Sequence, residues 1–170
     1  MRRLASWGAL CVLPLVGLAV LLAAPDLDLT WENHPAHFWL VVLVGALSFA
    51  LGFLLAEAAA RRADARLLLI GMAFLATSGY LVLHALATPG VLLAGKNAGF
   101  QIASAIGLLE AGLFAALSSV RFHPETSALI VRYRAVLYGL LFLHMAAWAA
   151  VSLSTLPPLD DPVTPEDARG

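Results

Sequence analysis

Five stretches of this chain are apolar and long enough to cross a lipid bilayer, which constrains its fold more than any other feature. A hydrocarbon core about 30 Å thick requires roughly 20 apolar residues at about 1.5 Å each in a helix. The runs fall at 4–24, 37–59, 67–87, 98–120 and 135–156. Between and after them, no stretch is long enough to make a soluble domain. The expected fold is therefore all-α: a polytopic integral membrane bundle of five transmembrane helices over residues 1–156, with 157–170 as a separate tail.

Composition supports a lipid solvent. Hydrophobic residues make up 61% of the chain and charged ones only 12%. Soluble domains carry about 25% charged residues. The formal net charge is −1, which argues against nucleic acid as a partner. One cysteine, Cys11, excludes an intrachain disulfide framework and any CxxC metal motif. The first run spans Leu4 to Ala24, longer than the about 7–15 residues of a signal-peptide core. It is expected to stay as a helix, with cleavage near Ala23-Ala24 as the alternative.

Basic residues set the expected orientation, because cytoplasmic loops are enriched in them. Arg2, Arg3, Arg61, Arg62, Arg66, Arg121, Arg132 and Arg134 fall on one side if every run crosses; only Lys96 and Arg169 fall on the other. The N-terminus is thus expected in the cytoplasm and the chain in the inner (plasma) membrane. The loops 25–36 and 88–97 then face outward. So does the tail "LPPLDDPVTPEDARG", whose prolines and acids suit an extended, solvated segment. It reads as the true end or as a loop before a further helix.

Ionisable groups inside the spans are few, and such groups usually face the bundle interior. Thr77, Tyr80, His84 and Thr88 lie three, four and four residues apart, and so share one helical face. His144, Trp148, Ser152 and Thr155 form a second polar stripe, and Gln101 and Ser104 open the 98–120 run. All of these place the polar half of the bundle outward. His84 stands just before the break at Thr88-Pro89-Gly90, where proline disfavours helix at the preceding residue. Its plain reading is a hydrogen bond across helices or a contact with carbonyls freed at a helix end. Its sharper reading is a ligand site with His37, His34, Gln101 or His144, since neutral imidazoles bind zinc, copper or haem iron. His34 and His37 could reach one ion from a helix start, where Pro35 is tolerated.

Glu110 lies near the middle of its span and is expected to be protonated or paired with Tyr138, His144 or Tyr80; a proton relay is the functional alternative. Glu57 is expected to pair with Arg61 or Arg62, and the loop histidine His123 is assigned no role. The segment "RFHPETSALIVRYR" is basic and amphipathic and suits the anionic inner leaflet. Gly45, Ser48 and Gly52, and the series Ala103, Gly107, Ala111 and Ala115, allow close helix approach. The second series makes 98–120 the expected central helix. Trp31, Trp39 and Tyr133 suit interfacial anchors. No P-loop, GxSxG, HExxH or kinase signature occurs, and no serine–histidine–acid triad is recognisable. The chain is accordingly not expected to be an enzyme.

The stretch "LHALATPGVLLAGKNAGFQIASAIGLLEAGLFAALSS", residues 83–119, resembles the membrane-embedded N-terminal region of some bacterial signalling proteins. In these, a helical module precedes an adenylate/guanylate cyclase or histidine kinase domain. His84 to Gly90 and Asn97 to Phe100 carry the likeness. It implies a sensor or input module detecting a ligand, ion or redox state in its outer half. Its implied partners are the bilayer, a cytoplasmic cyclase or kinase output domain in a longer chain, and a second copy. The alternatives are a haem- or metal-binding redox protein using the same histidines, and a small transporter component with Glu110 on its path.

Overall fold

A computed structural model describes residues 2–24, 33–88, 91, 93 and 97–154. The chain divides into two units, 1–33 and 34–170. The first contains α1 (Arg2–Ala23). The second contains α2 (His34–Arg62), α3 (Ala65–Ala85), α4 (Ala98–Gln101), α5 (Ala103–Ser118), α6 (Pro124–Arg132) and α7 (Arg134–Ser154). The described residues form helices and no sheet. By length and composition α2, α3 and α7 can cross a membrane, and α5 is apolar but shorter. The tail, Thr155 and Trp31 lie outside the described residues.

Within the second unit α3 is the most buried of these helices, and it packs against α2, α5, α6 and α7. This corrects the expectation that 98–120 is central. The small residues there do permit close approach, but they serve α3. Ala103 and Gly107 are buried, whereas Ala115 faces outward. A Cβ on Gly107 would stand 2.5 Å from Tyr80 Cβ. On the other side of α3, a Cβ on Gly52 would lie 2.9 Å from Leu75 Cγ and 3.0 Å from Gly71 O. Glycine is thus used where two backbones nearly touch. The core is Met72, Leu75, Ala76, Tyr80, Ala103, Leu141 and Met145.

The 98–120 run is not one helix. Ala105 and Ile106 N–H groups both donate to Ile102 O, at 3.0 and 3.2 Å, and the chain turns at Ile102 between α4 and α5. Asn97 starts α4 by accepting from Phe100 N at 3.0 Å, and its Nδ2 donates to Ser152 O at 2.8 Å. Trp148 Nε1 donates to Gly99 O at 3.0 Å, and Ser152 packs directly on Gly99. The stripe Trp148–Ser152 therefore holds α4 against the end of α7.

The other end of the bundle is tied by short polar contacts. Only Ala63 and Asp64 separate α2 from α3. Asp64 caps α3 by accepting from Arg66 N and Leu67 N, at 3.0 and 3.2 Å. Ser127 of α6 donates to Ala63 O at 2.7 Å and accepts from Ala65 N at 2.8 Å. Arg66 Nε donates to Ser118 O at 2.8 Å, where α5 ends and carbonyls are left over. Arg61 Nε reaches the Glu57 backbone carbonyl at 3.4 Å, not the carboxylate that the sequence suggested. Trp39 and Tyr133 are exposed.

Ala63 sits at φ 51°, a left-handed conformation that costs an L-residue about 1–2 kcal/mol. Glycine removes that strain but loses about 0.4–1 kcal/mol through its freer unfolded chain. Ala63→Gly should therefore raise stability by about 0.5 kcal/mol. Denaturant titration in mixed micelles would measure it, and a loss of stability would contradict the turn geometry.

Candidate functional site

Two polar centres lie on successive turns of α3. The lower is built on Tyr80, which is fully buried at 0% exposure. Its hydroxyl lies 3.2 Å from Glu110 Oε1 on α5 and 2.9 Å from His144 Nδ1 on α7. Glu110 Oε1 and His144 Nδ1 are in direct contact with each other. Three helices thus meet through one phenol, one carboxyl and one imidazole. The Glu110 and His144 side chains are 17% and 53% exposed.

Proton counting restricts this cluster. Tyr80 has one proton to donate, to the acid or to the imidazole. A close carboxyl–imidazole contact needs one proton between them, or it would set two lone pairs against each other. Either a protonated carboxyl or the imidazole Nδ1–H supplies that proton. Glu110 was expected to pair with Tyr138, His144 or Tyr80; the structure joins it to the last two. Tyr138 is elsewhere, and its buried hydroxyl has no hydrogen-bond partner. Its helix, α7, also carries His144 away from His34, His37 and His84, with which the sequence had grouped it.

The upper centre is a cavity of about 170 Å³. It is lined by His34 and His37 from the start of α2, His84 from the end of α3, Ala87 and Thr88 from the turn beyond, and Gln101 from α4. His84 is held by the break in the 98–118 segment. Its Nδ1 lies 3.2 Å from Phe100 O and 3.0 Å from Gln101 O. Carbonyls only accept, so Nδ1 carries the proton, and in the neutral ring the lone pair is on Nε2. This is the plain reading of His84 in specific form: its ring satisfies carbonyls at the end of another helix.

The His37 and His84 rings meet edge-on, with centroids 5.9 Å apart and planes at 81°. Thr88 is 4% exposed, and its Oγ1 has no hydrogen-bond partner. Among the described residues no three His, Cys, Asp or Glu side chains are grouped as a metal site. His34 therefore shares the cavity without completing a three-residue ligand set.

Sequence reasoning brought His34, His37, His84 and Gln101 together, and the cavity does the same. It missed Ala87 as part of the lining and the link from Trp148 to Gly99. Alanine carries no chemical signal, and a backbone acceptor carries none at all. No protein-family model, curated protein or solved structure matches the chain. The fold and its two polar centres therefore define the class alone: an all-helical protein with apolar helices long enough for a membrane and ionisable groups between them.

Proposed function

We propose that this chain is a membrane sensor or input module, with five spans, a cytoplasmic N-terminus and a ligand-receiving outer end. The observation that carries the reading is the placement of His84 and Tyr80 one turn apart on α3. His84 lines the cavity, and Tyr80 joins α3 to α5 and α7. An occupant that moved His84 would act on the helix that organises the bundle. A ligand shifts a conformational equilibrium only by its differential affinity for the two states. A cavity formed by three separate segments (the α2 start, the α3 end and α4) supplies that difference. Output to a cytoplasmic cyclase or kinase domain in a longer chain requires a further crossing, because five spans with a cytoplasmic N-terminus leave the tail outside.

The haem alternative draws little from the cavity. At about 170 Å³ it is below the roughly 300–1,000 Å³ of small-molecule sites and cannot enclose a porphyrin. A transporter reading rests on the Glu110–His144 pair, and it requires flux that Glu110→Gln abolishes.

The test uses the three tyrosines, Tyr80, Tyr133 and Tyr138. Labelled with 3-fluorotyrosine in nanodiscs, the chain gives three ¹⁹F resonances, assignable by Tyr→Phe substitution. Ala87→Leu fills the cavity and stands in for an occupant. It should shift the Tyr80 resonance and leave Tyr133 in place. An unmoved Tyr80 resonance would mean that the cavity and the bundle centre are not coupled, and the sensor reading would fail.

A further inference from the structure

We propose that the outer cavity binds a zinc-class divalent transition-metal ion through His37 and His84, with oxygen donors from Thr88 and Gln101. The proposal deepens the sensor reading and rests on it for the meaning of binding, but binding itself is measured separately.

With Nδ1–H donated to Phe100 O and Gln101 O, the free lone pair is on Nε2. This is the arrangement that histidine ligands adopt in metal sites, where the second ring nitrogen donates to a carbonyl or carboxylate and fixes the ring. The two backbone carbonyls are therefore outer-shell partners already in place.

Ring separation is the second observation. Two imidazoles sharing one ion at about 2.0–2.1 Å per nitrogen have centroids roughly 5–6 Å apart, depending on the angle at the metal. His37 and His84 are 5.9 Å apart.

The third observation is Thr88. A buried hydroxyl without a partner is costly, and Thr88 Oγ1 is such a group, on a residue that lines this cavity. An ion with its remaining water would satisfy it. Gln101 adds an amide oxygen from the opposite segment.

The lining also selects the class of ligand. It contains imidazoles, an amide, a hydroxyl and a methyl, and no carboxylate. Calcium and magnesium prefer sets of hard oxygen ligands, commonly with carboxylates. Imidazole suits zinc, copper and nickel. The volume fits an ion with a few waters and is too small for most organic ligands.

The experiment uses the untagged full chain in nanodiscs. Zn²⁺ is titrated against a chromophoric chelator, and Co²⁺ is added as a spectroscopic surrogate. One Zn²⁺ per chain is expected, with d–d absorption for Co²⁺ that Zn²⁺ displaces. His37→Ala and His84→Ala should each weaken binding by more than the about 10- to 100-fold that loss of an outer-shell partner costs. Thr88→Val preserves shape and should weaken it less, while His123→Ala should leave it unchanged. The ¹⁹F spectrum of each variant shows whether it has folded, and His84→Asn replaces His84→Ala if the latter has not. Absence of binding below millimolar Zn²⁺, or binding that survives loss of both His37 and His84, overturns the proposal.

The two readings fail separately. Zinc bound as described with an unmoved Tyr80 resonance keeps the metal site and removes the sensor. A Tyr80 shift in Ala87→Leu without zinc binding keeps the sensor and removes the metal.

Discussion

Gly107→Val should separate α3 from α5 and lower stability by about 3 kcal/mol or more. Even an alanine Cβ at Gly107 would stand 2.5 Å from Tyr80 Cβ, with the ring atoms Cγ and Cδ2 at 3.0 and 3.2 Å. The obstacle is the root of the side chain, which moves only with its backbone. Overpacking of this kind costs about 1–3 kcal/mol, and more when the backbone must shift. Gly112 lies on the same helix with nothing within 4 Å of its Cβ position. Gly112→Ala should be neutral or gain up to about 1 kcal/mol of helix propensity. Gly79 offers a second contrast. Its clash is with the Met145 side chain from Sδ outward, a flexible tail that can turn aside. Unfolding of the three variants in mixed micelles gives the order directly. Equal effects at Gly107 and Gly112 would contradict the packing of α5 on α3.

The second large effect is expected at Tyr80 and depends on what replaces it. Tyr80→Ala should cost about 2–4 kcal/mol, below the usual 3–5 for a large aromatic. Lipid tails are as apolar as this core, so packing and cavity terms are lost but little transfer energy is. Tyr80→Phe should cost only about 0.6 kcal/mol and at most about 1.7, the range for hydrogen bonds inside membranes. The reason is redundancy. Glu110 and His144 still contact each other when the phenol is gone, so no partner is stranded. The same logic limits Glu110→Leu, which leaves Tyr80 bonded to His144. The size of the hole can be tested by adding Gly107→Ala to Tyr80→Ala. The double variant should be more stable than the sum of the singles implies, because the new methyl enters the space the ring vacated. Strict additivity would mean that the two residues do not share that space.

The chain's apolar runs determined its helical character and the approximate bounds of its helices. Hydrocarbon leaves a backbone few other ways to satisfy its polar groups. Period also placed Tyr80 and His84 on one face, since a helix fixes that relation locally; Thr88 lies in the turn beyond the end of α3. The joint use of His34, His37, His84 and Gln101 was legible because imidazoles and amides are rare in such runs and sit at the same end.

Other features were set by tertiary contacts. The sequence marks close approach with small residues but does not say which partner they serve, and so the spacing at 103–115 pointed to the wrong central helix. The turn at Ile102 has no proline or glycine at that position to announce it. It exists where His84 takes up the Phe100 and Gln101 carbonyls. Likewise His144 and Glu110 are 34 residues apart and meet only because α5 and α7 flank the same turn of α3. Periodicity determines which way a side chain leaves its own helix; the packing of the helices decides what it meets.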